Sequence, residues 1–156
     1  MLVNEPEDPL SPSLDSWRET LRMRVETALS DALPPADTRP VILHEAMRYA
    51  CLNGGKHLRG IFALAFCEAM GASADRALLP AVALEAFHAS TLVHDDLPCM
   101  DDDDTRRGKP STHIQFGEAN ALLAGNALLT LALQWMAETA VPPPPPPGIL
   151  VSELSR

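Results

Sequence analysis

Six aspartates and three basic residues are crowded into residues 94–109, HDDLPCMDDDDTRRGK. Carboxylates this close together repel one another unless a positive charge lies among them. Magnesium ions suit such a place, because they take oxygen ligands, keep several waters and are usually completed by substrate phosphates. The cations that follow suit the phosphate groups themselves. This stretch therefore predicts a site for a phosphorylated ligand held through divalent ions.

The spacing of the aspartates decides which of them could share an ion. Asp95 and Asp101 are six residues apart, which puts them about 120° apart around a straight helix, too far to share one. Pro98 lies between them and must bulge or end the helix, because it has no N–H and clashes with the preceding turn. A two-residue bulge would return Asp101 to the face of Asp95. Residues 102–104 fit an ordinary solvated acidic run.

A second group of polar residues lies upstream. In the sequence NGGKHLRG, Lys56 and Arg59 stand three residues apart at the start of a predicted helix. Side chains at this spacing project together, and the helix dipole there favours an anion. His88 lies two turns before Asp95 on nearly the same face. A lone histidine of this kind is more often a satisfied core residue, so His88 gains weight only from its companions.

Arg106 and Arg107 follow the aspartates at once. Gly108 comes next and lets the backbone turn close to a ligand. An adjacent arginine pair is most often engaged in surface salt bridges, here with the preceding aspartates. The pair is therefore either a phosphate site or an internal counterion to the acidic run.

Apolar periodicity predicts that helices position all these residues. The expected helices are one capped by Asp15 and ended by Pro34 and Pro35, one from Pro40 to the glycines at 54 and 55, one over 57–70, one over 80–94 and one over 117–139. The segment 80–94 is nearly apolar all round, as in a helix buried within an all-helical protein. No alternating strand pattern is present, so the fold class is predicted to be all-α.

Composition limits the class of protein. Hydrophobic residues make up 46% of the 156, enough for one domain with a core. The net charge of −9 excludes nucleic acid as a partner, because binding a phosphate backbone needs a basic face. No apolar run approaches the roughly 18 residues of a transmembrane segment. Three cysteines without metal-ligand spacing and no signal peptide predict reduced thiols and an intracellular, cytoplasmic location.

The two ends of the chain have unusual compositions. Residues 1–12 are proline-rich and acidic and are predicted to be disordered. Residues 142–147 are six consecutive prolines, a stiff spacer that cannot be helical. A helix-like pattern restarts over 149–156 and stops. We therefore expect a helical domain over 13–156 that is interrupted by the prolines and truncated.

Three motifs together resemble a known family. NGGKHLRG, AVALEAFHAST and HDDLPCMDDDDTRRGKPSTH are similar, in order and spacing, to motifs of the trans-isoprenyl diphosphate synthases of the farnesyl and geranylgeranyl diphosphate synthase group. The resemblance runs from about residue 41 to about residue 133 and implies an isoprenoid-synthase-type helical bundle. Only the N-terminal half of the family is covered, without its second aspartate-rich motif. Gly60 departs from the proline usual at that position.

The resemblance also implies a reaction, the condensation of an allylic diphosphate (dimethylallyl, geranyl or farnesyl) with isopentenyl diphosphate. Departure of diphosphate from an allylic carbon is uphill unless metal ions neutralise the developing charge. By resemblance, the catalytic and metal residues are Asp95, Asp96 and Asp101 with Mg²⁺. The diphosphate ligands implied are Lys56, Arg59, His88, Arg106 and Arg107.

Product length and assembly are implied in the same way. Ser90 and Thr91 lie about one helical turn before Asp95, on the floor of any pocket above the metals. Bulky aromatics at these places stop chain growth early in the family, so the small pair implies geranylgeranyl diphosphate as product. They could also be mere packing residues. The segment FGEANALLAGNAL is interpreted as core and as the interface of a homodimer, with a plastid possible as compartment in a eukaryote.

Two other functions are compatible with the sequence. The chain could be a non-catalytic regulatory or truncated subunit that binds an intact prenyl synthase, since the second aspartate motif is missing. It could also be a generic calcium or magnesium sponge, although a sponge needs no phosphate-binding cations.

Overall fold

The computed structural model describes residues 13–139 and 152–153. Its helices are α1 (Leu14–Ala32), α2 (Val41–Leu52), α3 (Leu58–Ala69), α4 (Leu78–Asp95), α5 (Thr112–Phe116) and α6 (Glu118–Glu138), with a 3₁₀ turn over Ala74–Ala77. The all-α prediction is confirmed. The predicted disorder of 1–12 and the proline run at 142–147 lie outside the described residues.

Helix α4 is the central element of the described fold. It packs against α6, α3, α1 and α2, which explains why its sequence is apolar on nearly every side. Alanines dominate its buried positions and those of α6, so the two helices approach closely. Larger side chains from α1, α2 and α6 complete this core, namely Leu29, Met47, Leu128, Trp135 and Met136.

Helix boundaries follow the predicted signals with one correction. The N-cap of α1 is Ser13, whose hydroxyl accepts from the Ser16 N–H; Asp15 lies in the first turn instead of capping the helix. The helix ends at Ala32, before Pro34. Helix α2 begins after Pro40, and Gly54 follows it in the left-handed region with φ +80°.

The structure corrects two further expectations. Residues Thr105–Arg106 and Lys109–Pro110 form a two-stranded antiparallel hairpin, where no strand was predicted. Ala74–Asp95 is long and apolar enough to cross a membrane by length and composition alone, so the expectation that no run approaches that length was wrong. A buried core helix passes the same test, and the packing of α4 against four helices fits that interpretation.

The three cysteines are free thiols. Cys51 of α2 is buried in the core of the fold, and this burial raises the pKa of its thiol to about 12. A thiol with so high a pKa is inert at neutral pH, in agreement with the prediction of reduced cysteines.

Candidate functional site

Helix α4 ends where the aspartate run begins. Asp95 is its last residue, and tight turns follow over residues 96–101. The N–H of Asp101 donates to the backbone carbonyl of Asp95 at 2.8 Å. Pro98 therefore ends the helix and does not produce a bulge, which corrects that alternative. The hydrogen bond makes Asp95 and Asp101 neighbours along the backbone, and a shared face for their carboxylates stays a prediction.

Asp96 differs from the other aspartates. It is buried, with 2% of its surface exposed, and its carboxylate accepts hydrogen bonds from the Arg106 guanidinium. The same guanidinium reaches Asp103 at 3.1 Å. The hydrogen bond to Asp96 raises the pKa of Arg106. Arg106 is thus a counterion to the acidic run, the alternative that its sequence position left open.

The three predicted metal ligands do not form a preassembled cluster. Across residues 13–139, no group of three or more His, Cys, Asp or Glu side chains is arranged to hold a metal ion. Asp101 is exposed and Asp95 half-buried, while Asp96 is already paired. Asp95 and Asp101 nevertheless fit magnesium by their chemistry, because this ion is commonly held by one or two carboxylates together with water and substrate phosphates.

Arg107 connects the hairpin to the glycine loop before α3. Its backbone has φ +56°, and its guanidinium donates to the carbonyl of Gly54. A Cβ added at Gly55 would lie 2.7 Å from the Arg107 Cζ, so a larger residue there would force the Arg107 guanidinium to shift. The Tyr49 hydroxyl donates to the Pro110 carbonyl at 2.8 Å and fixes the hairpin to α2.

Several predicted diphosphate ligands act electrostatically on His88. Burial lowers the pKa of His88, and the positive charges of Arg59, Arg107 and Arg106 lower it further against the opposing charge of Glu85. Three arginines close enough to act on one half-buried imidazole form a concentrated positive field. The sequence placed these residues in three separate motifs, and the fold brings them together.

Lys56 lies beside a cavity between the glycine loop and α1. It is exposed, and the cavity, of about 150 Å³, is also lined by Gly55, Leu58 and Ile61. Arg18 of α1 lines the same cavity. Lys56 is therefore accessible to a ligand from solvent.

Ser90 and Thr91 satisfy their hydroxyls within α4. Ser90 Oγ donates to the Phe87 carbonyl at 2.7 Å, and Thr91 Oγ1 donates to the His88 carbonyl at 2.8 Å. Ser90 is 2% exposed and Thr91 is half-buried. Both side chains pack in the described fold, and their role in chain length stays a prediction.

Sequence reasoning missed a buried polar group beneath the cations. Glu85 of α4 accepts from the Gly60 N–H at 2.9 Å and contacts His57 Nδ1 at 3.0 Å. One signal was available, because Glu85 is the only Asp, Glu, Lys or Arg between residues 77 and 94. A charge in such a run is rarely left without a partner.

Comparisons with known proteins agree with the family resemblance of the sequence motifs. A sequence model of the family described as polyprenyl synthetase matches residues 40–152. Geranylgeranyl pyrophosphate synthase 4 of Arabidopsis thaliana is 46% identical over 145 residues, and the heterodimeric geranylgeranyl pyrophosphate synthase large subunit 1, chloroplastic, of the same plant is 45% identical over 130. These alignments cover 90% and 83% of the chain.

Solved structures give the same fold. The apo crystal structure of an FPP/GFPP synthase from Zymomonas mobilis superposes with a TM-score of 0.75 at 39% identity, covering 80% of this chain and 45% of that one. The chain spans 37% and 34% of the length of the two Arabidopsis relatives. The likeness therefore concerns one part of each relative.

Proposed function

The chain belongs to the polyprenyl synthetase family, and from this premise we propose that it carries the diphosphate-binding part of a short-chain prenyltransferase. The reaction is condensation of an allylic diphosphate with isopentenyl diphosphate, and geranylgeranyl diphosphate is the product. The observation that carries the proposal is that both arginines of the hairpin are fixed in place, Arg106 against the buried Asp96 and Arg107 on the Gly54 carbonyl just before Lys56.

Each group of residues has a role in this proposal. Asp95 and Asp101 hold magnesium, which when bound supplies positive charge against the diphosphate leaving group. Lys56, Arg59 and His88 bind the diphosphate of isopentenyl diphosphate. The imidazole of His88, whose pKa is lowered, is neutral at pH 7 and offers a hydrogen bond to the anion while the guanidiniums supply charge.

Arg106 and Asp96 act as a pair. The pairing with Asp96 and Asp103 fixes the orientation of Arg106, and in this proposal the N–H groups that are not engaged there bind the allylic diphosphate, so that Arg106 is both a counterion and a ligand. Asp96 then orients Arg106 and does not share in metal binding directly, which narrows the predicted set of three aspartates to two. Arg107, fixed on the Gly54 carbonyl, binds the second diphosphate beside Lys56.

A fusion experiment tests this function. The chain is assayed for incorporation of labelled isopentenyl diphosphate into farnesyl diphosphate with magnesium, alone and joined to the remaining part of the Arabidopsis relative. We expect no product from the chain alone and magnesium-dependent geranylgeranyl diphosphate from the fusion. An inactive fusion, beside an active intact relative, would contradict the proposed function.

A second function has its own supporting observation. Phe62 and Phe66 of α3 and Met70, which follows its last residue, are spaced one turn apart and are 60%, 70% and 83% exposed. An apolar face of this kind on a helix is typical of an interaction surface. One relative is named as the large subunit of a heterodimeric synthase, which supports a role as a binding subunit.

Co-elution with that relative separates the two functions. We expect a binding subunit to co-elute with the Arabidopsis large subunit and to change its product output. The double variant Phe62→Ser/Phe66→Ser should abolish co-elution, whereas Leu14→Ser, at the 76% exposed Leu14 of α1, should not. Absence of co-elution in the unmodified chain leaves catalysis as the function to test. Homodimer formation is a proposal for the same assay.

The compartment is also a proposal. One relative is chloroplastic by name, which supports a plastid as the first place to look. A fluorescent fusion of the chain in plant cells distinguishes plastid from cytoplasm.

A further inference from the structure

We propose that Glu85 is a positioning residue of the diphosphate site, which fixes Lys56 and Arg59 by holding the N-terminus of α3. Glu85, His57 and Gly60 are called the α3 clasp below. This role rests on the proposed function of the site. It goes beyond that function because it gives a positioning role to three residues that are not themselves proposed to bind a ligand.

The N-terminus of α3 is not capped by the side chain of its own N-cap residue. That residue, His57, has a left-handed backbone with φ +45° and makes no side-chain capping bond. The first N–H groups of a helix have no partner within the helix and need an acceptor. Glu85 of α4 supplies it, since its Oε1 accepts from the Gly60 N–H at 2.9 Å. A carboxylate at this end also interacts favourably with the helix dipole.

The second carboxylate oxygen of Glu85 contacts His57, which lies between Lys56 and Arg59 in the sequence. Oε2 lies 3.0 Å from His57 Nδ1, and the His57 side chain is 1% exposed. Burial raises the pKa of Glu85, but the hydrogen bonds from His57 and Gly60 outweigh it and the net pKa is lowered. The carboxylate is therefore ionised at neutral pH, and His57 Nδ1 must be the donor.

Gly60 is the only residue type that lets the clasp close. A Cβ at this position would lie 2.7 Å from Val25 Cγ1 and 3.3 Å from Glu85 Cγ. A proline at this position would also have no N–H to donate to Glu85.

The clasp sets the position of the ligand-binding cations. Lys56 directly precedes His57, and Arg59 directly precedes Gly60, so each cation is next to a residue that Glu85 holds. His88 lies three residues after Glu85 on α4, on the same side of that helix. Helix α4 therefore carries both a ligand-binding side chain and the group that aligns two others with it.

Titration calorimetry of the 156-residue chain with inorganic diphosphate, without metal, tests the role. Glu85→Gln keeps the shape and an acceptor for Gly60, but its amide cannot accept from His57. The ring must then move its hydrogen to Nε2, a buried atom that has no hydrogen-bond partner in the described part of the chain. We expect affinity to fall about tenfold, because a small displacement of binding groups is costly.

Three further variants separate positioning from plain stability. His57→Asn keeps a donor near Nδ1 and tolerates the left-handed backbone, so affinity should stay within about twofold. His57→Ala should weaken binding about as much as Glu85→Gln. Leu64→Ala, in the buried face of α3 and away from the clasp, should lower the melting temperature and leave affinity within about twofold.

The outcomes are separable. If the unmodified chain binds and Glu85→Gln binds equally well, or if Leu64→Ala weakens binding as much, the positioning role is overturned and the proposed function stands. If the unmodified chain binds no diphosphate, both are overturned. Should Glu85→Gln fail to fold by circular dichroism, the two His57 variants decide, and equal affinities of His57→Asn and His57→Ala overturn the role.

Discussion

The two sides of the candidate site are built differently. On the cation side, Arg107 lies over Gly55 and is bonded to the loop, while Glu85 holds the start of α3 from below. On the carboxylate side, Asp101 is exposed, and only Asp96 is buried, where it is engaged with Arg106. The proposed phosphate-binding side chains are thus organised in advance, whereas the proposed metal-binding carboxylates are left for ions and ligand to organise.

Electrostatics accounts for this division. Basic side chains can be held apart by backbone carbonyls and by a buried carboxylate, because each of these acceptors makes defined hydrogen bonds. Carboxylates without a counterion repel one another, and bringing them together in advance would cost free energy. A site that closes only when magnesium and diphosphate arrive avoids that cost. Variants on either side should therefore fail in different ways.

The largest effect is expected on the carboxylate side. Asp95→Asn removes one charge from the pair that is proposed to hold magnesium, and turnover of the fusion protein should fall by about 10³ or more, the scale for losing electrostatic stabilisation of a transition state. Asp102→Asn removes the same charge from the solvated run and should leave turnover within about threefold. Product formation is measured at saturating magnesium. Equal losses in the two variants would show that only total charge matters.

Asp96→Asn tests the buried aspartate as a structural partner. It leaves the Arg106 guanidinium with a weaker acceptor, and we expect the free energy of unfolding to fall by about 2 kcal/mol, since hydrogen bonds to charged groups contribute about 1.5–3 kcal/mol. Urea denaturation measures this. Asp103→Asn loses only the exposed partner of Arg106 and should cost less than about 1 kcal/mol. If Asp96→Asn leaves the free energy of unfolding unchanged, Asp96 is held no more tightly than the exposed aspartates.

The glycine loop tests the cation side with a close control. Gly55→Ala puts a Cβ against Arg107, and we expect the affinity for inorganic diphosphate to fall about fivefold, about 1 kcal/mol. Gly54→Ala imposes left-handed strain as well, with φ +80°, but its Cβ meets no atom of the described residues within 4 Å. Gly54→Ala should therefore destabilise the chain and leave its affinity for inorganic diphosphate unchanged. Calorimetry and thermal unfolding separate the two effects, and equal affinities would contradict a specific contact with Arg107.

The difference between the two sides also explains what the sequence could predict. Helix positions and the all-α class followed from apolar periodicity, because burial on one face dictates spacing. The proposed ligands Asp95, Arg59 and Arg107 came from charge and motif, and their roles stay predictions. The clasp did not, because the pairing of Glu85 with His57 and Gly60 joins residues 28 and 25 positions apart. Long-range polar pairs leave no periodic signal in one sequence.

The hairpin was missed for a related reason. Residues 105–110 have too few positions for alternation to be recognised, and only tertiary contacts hold them, such as the bond from Tyr49 to Pro110. The capping error at Asp15 was of another kind. Ser13 and Asp15 are both good N-cap residues, and backbone geometry chose between them.

The smallest expected effect is a pH dependence of stability that differs between His88 and Glu85. Both pKa values are lowered in the folded chain, from 6.5 and 4.5 respectively. A lowered pKa means that the unfolded chain binds the proton more readily, so each contribution is present at high pH and is lost as the pH falls. The loss from His88 begins near pH 6.5, and the loss from Glu85 begins near pH 4.5.

Variants should remove one window each. Urea unfolding of the chain between pH 4 and 8 should show a decline that begins near pH 6.5, because burial and the nearby arginines lower the pKa of His88. The decline should be absent in His88→Gln, whose side chain does not titrate. Glu85→Gln should keep that decline and lose the one below pH 4.5. Glu19, whose pKa is also lowered, is present in every variant and cancels in the comparison. Identical pH profiles for His88→Gln and the unmodified chain would mean that the three arginines do not act on His88, and the preorganised cation side would no longer be supported.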